Sequence, residues 1–172
     1  MKRSAVRSAH GKRSAPGRSS GAARAKAARD PDRVRYSSGS VWEPVVGYSR
    51  AVRVGALVHV SGTTATGPRG NIVGDADPYL QTQVALANIA RALVAVGSGL
   101  DDVVRTRIYV TDISKWEQIG RAHGEVFGNV RPTTSMVQVS ALISPEMLVE
   151  IEAEAVVGPR PPSRRGRAAS SR

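Results

Sequence analysis

The chain has 172 residues, with 25 Lys+Arg against 14 Asp+Glu and no cysteine. That is the size of one ordinary domain, and no apolar run reaches the ~18 residues of a membrane span. Without thiols there is no disulfide framework, Cys-based zinc site or Cys nucleophile, and a reducing compartment, the cytoplasm, is the expected location.

The charge is unevenly placed. Residues 1–35 hold 11 basic and 2 acidic side chains, and residues 159–172 hold 5 basic and none acidic. Residues 36–158 hold 9 basic against 12 acidic. A mildly acidic body therefore lies between two basic stretches, and a nucleic-acid reading of the overall charge fails for the body. The flanks are built from Arg, Lys, Ser, Ala, Gly and Pro, which cannot bury enough apolar surface to offset the entropy of ordering. The expected organisation is a disordered basic tail over 1–40, one domain over 41–158 and a second disordered tail over 159–172. The N-terminal tail fits a solvated stretch, a polyanion-binding arm or an organelle-targeting segment, and it lacks the apolar core of a secretory signal.

Within the body, Val52–Val60 alternates apolar and polar residues around Gly55-Ala56, which predicts two strands joined by a tight turn. Thr66-Gly-Pro-Arg-Gly70 is turn chemistry. Asp77 and Pro78 suit the cap and first position of a helix whose stripe is Leu86, Ile89, Leu93 and Val96, ending at Gly97. Val103–Val110 predicts a strand with Val104, Thr106, Ile108 and Val110 on one face and Arg105, Arg107 and Tyr109 on the other. Ser114-Lys-Trp-Glu117 reads as a capping box opening a second helix, with Trp116, Ile119 and Phe127 apolar and His123 on the same side. Thr134–Ser140 and Met147–Val157 close the domain as strands, the latter with Glu150, Glu152 and Glu154 on one face.

The order β-β-α-β-α-β-β is an α+β mixed sheet with two helices on one face. Its other face would carry two arginines on one strand and three glutamates on another. That face is either solvated or packed against further copies in a ring, where the charges pair.

Five segments together resemble one family. They are Gly47-Tyr-Ser-Arg-Ala-Val52, Val58-His-Val-Ser-Gly62, Leu100-Asp-Asp-Val-Val-Arg-Thr106, Tyr109-Val-Thr-Asp112 and Leu148-Val-Glu-Ile-Glu-Ala153. In this order they are similar to the Rid family of reactive intermediate deaminases, also called YjgF or endoribonuclease L-PSP proteins. The resemblance spans about Val41 to Val157 and does not cover the tails. It implies a chorismate-mutase-like α+β fold, a homotrimer with inward-facing sheets, and a ligand cleft between each pair of subunits. It also implies hydrolysis of small enamines or imines to 2-keto acids and ammonia, with no cofactor.

Carried over residue by residue, the resemblance implies that Tyr48 lines the cleft and that Gly62 lets the backbone approach the ligand. Glu150 would orient the hydrolytic water, and the Met136 amide would touch the ligand's acid group. Thr134 stands where the deaminating members have an arginine that grips the substrate carboxylate. Thr134 and Ser135 would then meet the polar end of the ligand with neutral hydroxyls. Arg131 lies three residues earlier, so the pleat sends it to the opposite face.

Three functions follow. One is a small-molecule enzyme in which Glu150 acts as general base. Another is a non-catalytic metabolite-binding or regulatory trimer, favoured by Thr134. The third is nucleic-acid or polyanion binding through the tails. No metal site is expected, because the three histidines lie far apart in sequence and Glu125 is on another face of the helix from His123. Gly67, Gly70 and Gly74 lack the Lys-Ser/Thr of a phosphate loop.

Overall fold

A computed structural model describes residues 32–158. The two stretches of greatest positive charge, 1–31 and 159–172, lie outside the described residues, and with them most of the tails expected to bind polyanions. Nine elements follow in order: β1 (Arg33–Tyr36), α1 (Trp42–Val46), β2 (Ala51–Val54), β3 (Leu57–Thr63), α2 (Pro78–Ala95), β4 (Val103–Val110), α3 (Trp116–Phe127), β5 (Thr133–Gln138) and β6 (Val149–Val156). The six strands form one sheet in the order β1-β2-β3-β6-β4-β5.

The local chemistry sets this order. Gly55, at φ 58°, gives the β2–β3 hairpin the positive angle a two-residue turn requires. The Asp77 carboxylate accepts from the Leu80 amide at 3.0 Å and caps α2 behind Pro78, as expected. At the other end Arg53 donates through Nη1 to the carbonyls of Val96 (3.1 Å) and Gly97 (2.8 Å), neutralising the negative end of α2. β4 and β5 are parallel, which needs the long crossover that α3 provides. The remaining neighbours are antiparallel.

Both long helices pack on one face of the sheet. Leu86, Ile89, Leu93 and Val96 of the α2 stripe meet Val58, Val60, Ile108, Val110, Val149, Ile151, Ala153 and Ala155 in a single core. Ile119 and Phe127 bring α3 into it. Gln81 is fully buried and ties two loops to α2: its amide donates to the carbonyls of Gly74 and Glu146 and accepts from the Leu148 amide.

Four expectations change. The fold begins ahead of residue 41: Arg33–Tyr36, expected in the tail, adds an edge strand because its backbone pairs with Ala51–Val54. A short helix, α1, precedes the first hairpin, ended by Gly47 at φ 82°. Val104 is exposed, not core-facing, because β4 slips register against β6 between Val103 and Arg105. Finally, Ser114 does not cap α3. The Asp112 carboxylate accepts from the Ser114 amide and holds a 3₁₀ turn over Ile113–Lys115, which leads into the helix at Trp116, itself exposed.

On the open face one of the two arginines meets two of the three glutamates within the protomer. Arg107 donates to Glu154 at 2.8 Å and to Glu152 at 3.3 Å, and the Tyr109 hydroxyl donates to Glu152 at 3.3 Å. Two of the three like charges along β6 are thus relieved from the neighbouring strand. A shallow hollow of about 240 Å³ lies there, lined by His59, Ser61, Arg107, Glu152 and Glu154. Among the described residues no helix is long and apolar enough to cross a membrane.

Candidate functional site

The sequence-expected residues fall into two groups. The first gathers at the open-face end of β3 and β6. Gly62 lies in the irregular stretch where β3 shifts register against β6 between Val60 and Thr63. There its Cα faces the Glu150 side chain so closely that an added Cβ would stand 1.9 Å from Glu150 Oε1. The glycine is required by this approach.

Tyr48 reaches the same place through a residue not singled out beforehand. Arg50 donates from Nη2 to the Tyr48 hydroxyl at 2.9 Å, and from Nη1 to Thr63 Oγ1 at 2.9 Å and to the carbonyls of Ser61 and Gly62. Its guanidinium also lies 5.4 Å from the centre of the Tyr48 ring. The signal was available in Tyr48-Ser-Arg50: on extended backbone, side chains two apart share a side.

Four carboxylates lie in this region of the molecule, and three are engaged. Glu152 and Glu154 bind Arg107. Glu43, buried on α1, accepts from the Ser38 amide (3.0 Å), the Ser38 hydroxyl (2.7 Å) and the Ser37 hydroxyl. Burial alone would raise the Glu43 carboxyl, but these bonds and the Arg50 charge outweigh it and hold it below the usual carboxylate value. Glu150 differs: among the described residues nothing donates a hydrogen bond to it. Burial pushes its carboxyl above the usual value, the Glu152 charge pushes further, and Arg50 partly opposes.

The second group is on β5, the opposite edge of the sheet from β1. The side chains of its three expected residues alternate between the two faces of the sheet. Ser135 pairs with Arg107 across the ladder and so faces the open side, while Thr134 and Met136 pair with Thr106 and Ile108 and face the helices. Met136 packs its side chain against the core.

Thr134 ends a chain of hydrogen bonds. His123 Nε2 is 3.0 Å from Thr106 Oγ1, which is 2.9 Å from Thr134 Oγ1. Thr134 Oγ1 also donates to the Pro132 carbonyl at 3.3 Å. Thr106 is fully buried. Burial lowers the His123 pKa, so the imidazole is neutral near pH 7. His123, expected on the same side of the helix as Phe127, has its ring 4.8 Å from that of Phe127. Arg131 is exposed, with its backbone at φ 53° in the reversal that leads to Pro132 and β5.

Within one protomer the two groups do not meet. β6 and β5 are two strand spacings apart, roughly 10 Å, and Glu150 and Thr134 point to opposite faces of the sheet.

Comparison with known proteins places this arrangement. Residues 39–157 match the family model described as Endoribonuclease L-PSP. An uncharacterized protein of Streptomyces coelicolor is 41% identical over 125 residues, covering 72% of this chain and 92% of that protein. The crystal structure of a member of the YjgF/YER057c/UK114 family from Mycobacterium tuberculosis is 56% identical with a TM-score of 0.67, covering 73% of this chain and 99% of that one. TdcF of E. coli, solved with bound serine, is 30% identical with a TM-score of 0.59, covering 64% and 88%.

Proposed function

The chain belongs to the endoribonuclease L-PSP family, the YjgF or Rid proteins, and from that premise we propose that it hydrolyses small imines and enamines to 2-keto acids and ammonia. The reaction would take place without a cofactor, in clefts between the subunits of a homotrimer. The observation that carries this reading is Glu150: a half-buried carboxylate with raised pKa that receives no hydrogen bond from the described residues, while its neighbours Glu43, Glu152 and Glu154 are all engaged. Such a group is suited to hold a water and take its proton.

In the step proposed, the water oxygen attacks the imine carbon and Glu150 accepts a proton from it. The nitrogen takes that proton to give a carbinolamine, whose hydroxyl proton passes by way of Glu150 to the nitrogen as the C=O bond forms and the C–N bond breaks, so that ammonia leaves and the keto acid remains. An enamine first gains a proton at its terminal carbon to become the imine. Tyr48 and the Gly62 backbone would form one wall of the cleft, and Thr134, Ser135 and the Met136 amide of the adjoining subunit the other. The serine bound by TdcF supports an amino-acid-sized ligand.

The test is to generate an imino acid with an amino-acid oxidase and follow keto-acid and ammonia release. Wild type should accelerate release and Glu150→Gln should match the protein-free rate. If wild type also matches the protein-free rate, the hydrolytic reading is lost. One observation favours a second, non-catalytic reading: the Thr134 hydroxyl is neutral and already committed to Thr106 and Pro132. A Thr134→Arg variant that gains turnover absent from wild type would establish it.

A further inference from the structure

We infer that Arg50 is the anion-binding group of this cleft, so that the site selects ligands carrying a carboxylate although β5 offers it only hydroxyls. The inference rests on the reading of Glu150 as the reacting centre and adds the charge that selects the ligand.

Four observations carry it. First, Arg50 belongs to the Glu150 half-site: it binds the Gly62 carbonyl and the Tyr48 hydroxyl, and its charge acts on the Glu150 carboxyl. Second, it is fixed. Nη1 is held by Ser61, Gly62 and Thr63, so the planar group has lost the freedom that binding would otherwise have to remove. Third, the fixing leaves donors over. A guanidinium has five N–H groups. Among the described residues Nε–H has no acceptor, and Nη2 spends one of its two hydrogens on Tyr48. A carboxylate takes two such donors from one guanidinium. Fourth, its charge is uncompensated by contact: the ion pairs of the described residues are those of Arg107, and Glu43 and Glu150 act on Arg50 from a distance. By contrast Arg53, three residues on, is consumed by helix carbonyls and by Gly55.

The structural role of Nη1 and the binding role of Nε are separable. Holding the irregular turn of β3 needs Nη1 alone. Selecting an anion over a neutral molecule of the same shape needs the charge and the unused donors.

The experiment titrates pyruvate and its neutral amide, pyruvamide, into wild type, Arg50→Gln and Arg50→Lys. Wild type should prefer pyruvate by at least tenfold. Arg50→Gln should lose that preference while its affinity for pyruvamide changes less than threefold, which a merely disturbed turn would not produce. Should Arg50→Gln fail to fold, the wild type decides alone. Its Arg50 ¹⁵Nε–H resonance, identified by its loss in Arg50→Lys, should shift with pyruvate and stay still with pyruvamide. A wild type without preference for the anion, an Arg50→Gln variant that keeps the preference, or an Nε–H resonance indifferent to pyruvate would each overturn the assignment. Pyruvate binding without hydrolysis of the corresponding imine ends the hydrolytic reading and leaves Arg50 in place. Hydrolysis that is unaffected in Arg50→Gln does the reverse.

Discussion

Gly62→Ala is the sharpest probe of the proposed centre, because it separates the position of Glu150 from the stability of the fold. The new methyl carbon would lie 1.9 Å from Oε1, 2.8 Å from Cδ and 3.2 Å from Cγ of Glu150. Restoring ordinary contact requires the carboxylate to retreat by roughly 1.5 Å. The obstacle is the far end of a flexible side chain, so the backbone can stay, and Gly62 needs no positive φ. Forcing the glutamate off its rotamer costs about 0.5–1.5 kcal/mol. Losing a glycine from the unfolded chain returns about 0.4–1 kcal/mol. The two nearly cancel, and thermal unfolding should move by only a few degrees. Activity should not survive: a misplacement of about 1 Å at a reacting centre costs on the order of 100-fold. Steady-state release of keto acid and ammonia would measure it. A Gly62→Ala protein within threefold of wild type, beside an inactive Glu150→Gln, would show that the glutamate does not work from the position described.

Three further perturbations test the surroundings. Thr106→Val removes the middle of the His123–Thr106–Thr134 chain and leaves the half-buried His123 without its Nε2 partner; a loss of about 1–3 kcal/mol should appear in urea unfolding, and no loss would mean the chain is not formed. Arg53→Met strips the bonds to Val96 and Gly97 from the end of α2, and about 1–2 kcal/mol should go, partly regained in Arg53→Lys. Glu150→Gln should raise the melting temperature at pH 7. A carboxyl whose folded pKa is raised is protonated in both states at low pH, and costs stability once pH passes its unfolded value. The gain should therefore vanish near pH 3, and a gain that persists there would contradict the raised pKa.

The sheet and its two long helices were legible because their signals are periodic and local. Asp77-Pro78, the Leu86–Val96 stripe and the alternation in Val149–Val156 each specify an element by themselves. What stayed hidden depends on pairing. Arg33–Tyr36 has no pattern to set it apart from the basic tail, and only its ladder with Ala51–Val54 makes it a strand. Val104 has the parity of a core residue until the register slip beside it is known. At the site, the spacing placed Glu150 and Gly62 on separate segments but gave no hint that one demands the other. Arg50 sat in plain view within a motif of interest. Its importance comes from what it leaves unused, and only hydrogen-bond accounting shows that.

The separation of the half-sites has a consequence that can be tested by mixing. A ligand of a few heavy atoms cannot touch both Glu150 and Thr134 of one protomer, since they face opposite sides of the sheet two strands apart. If both serve one ligand, they belong to different subunits, and each cleft of the proposed trimer takes one half from each neighbour. Glu150→Gln removes the reacting carboxylate from one half. Thr134→Trp blocks the other with an indole on an exposed strand edge. Each variant alone should be inactive. Unfolded together and refolded at equal amounts, they assemble at random, and a cleft escapes both lesions when its glutamate comes from the Trp variant and its threonine from the Gln variant. That happens in roughly a quarter of clefts, so activity should return to about that fraction of wild type. Were the site contained within one protomer, every cleft would carry one lesion or the other, and the mixture would stay as inactive as its parts.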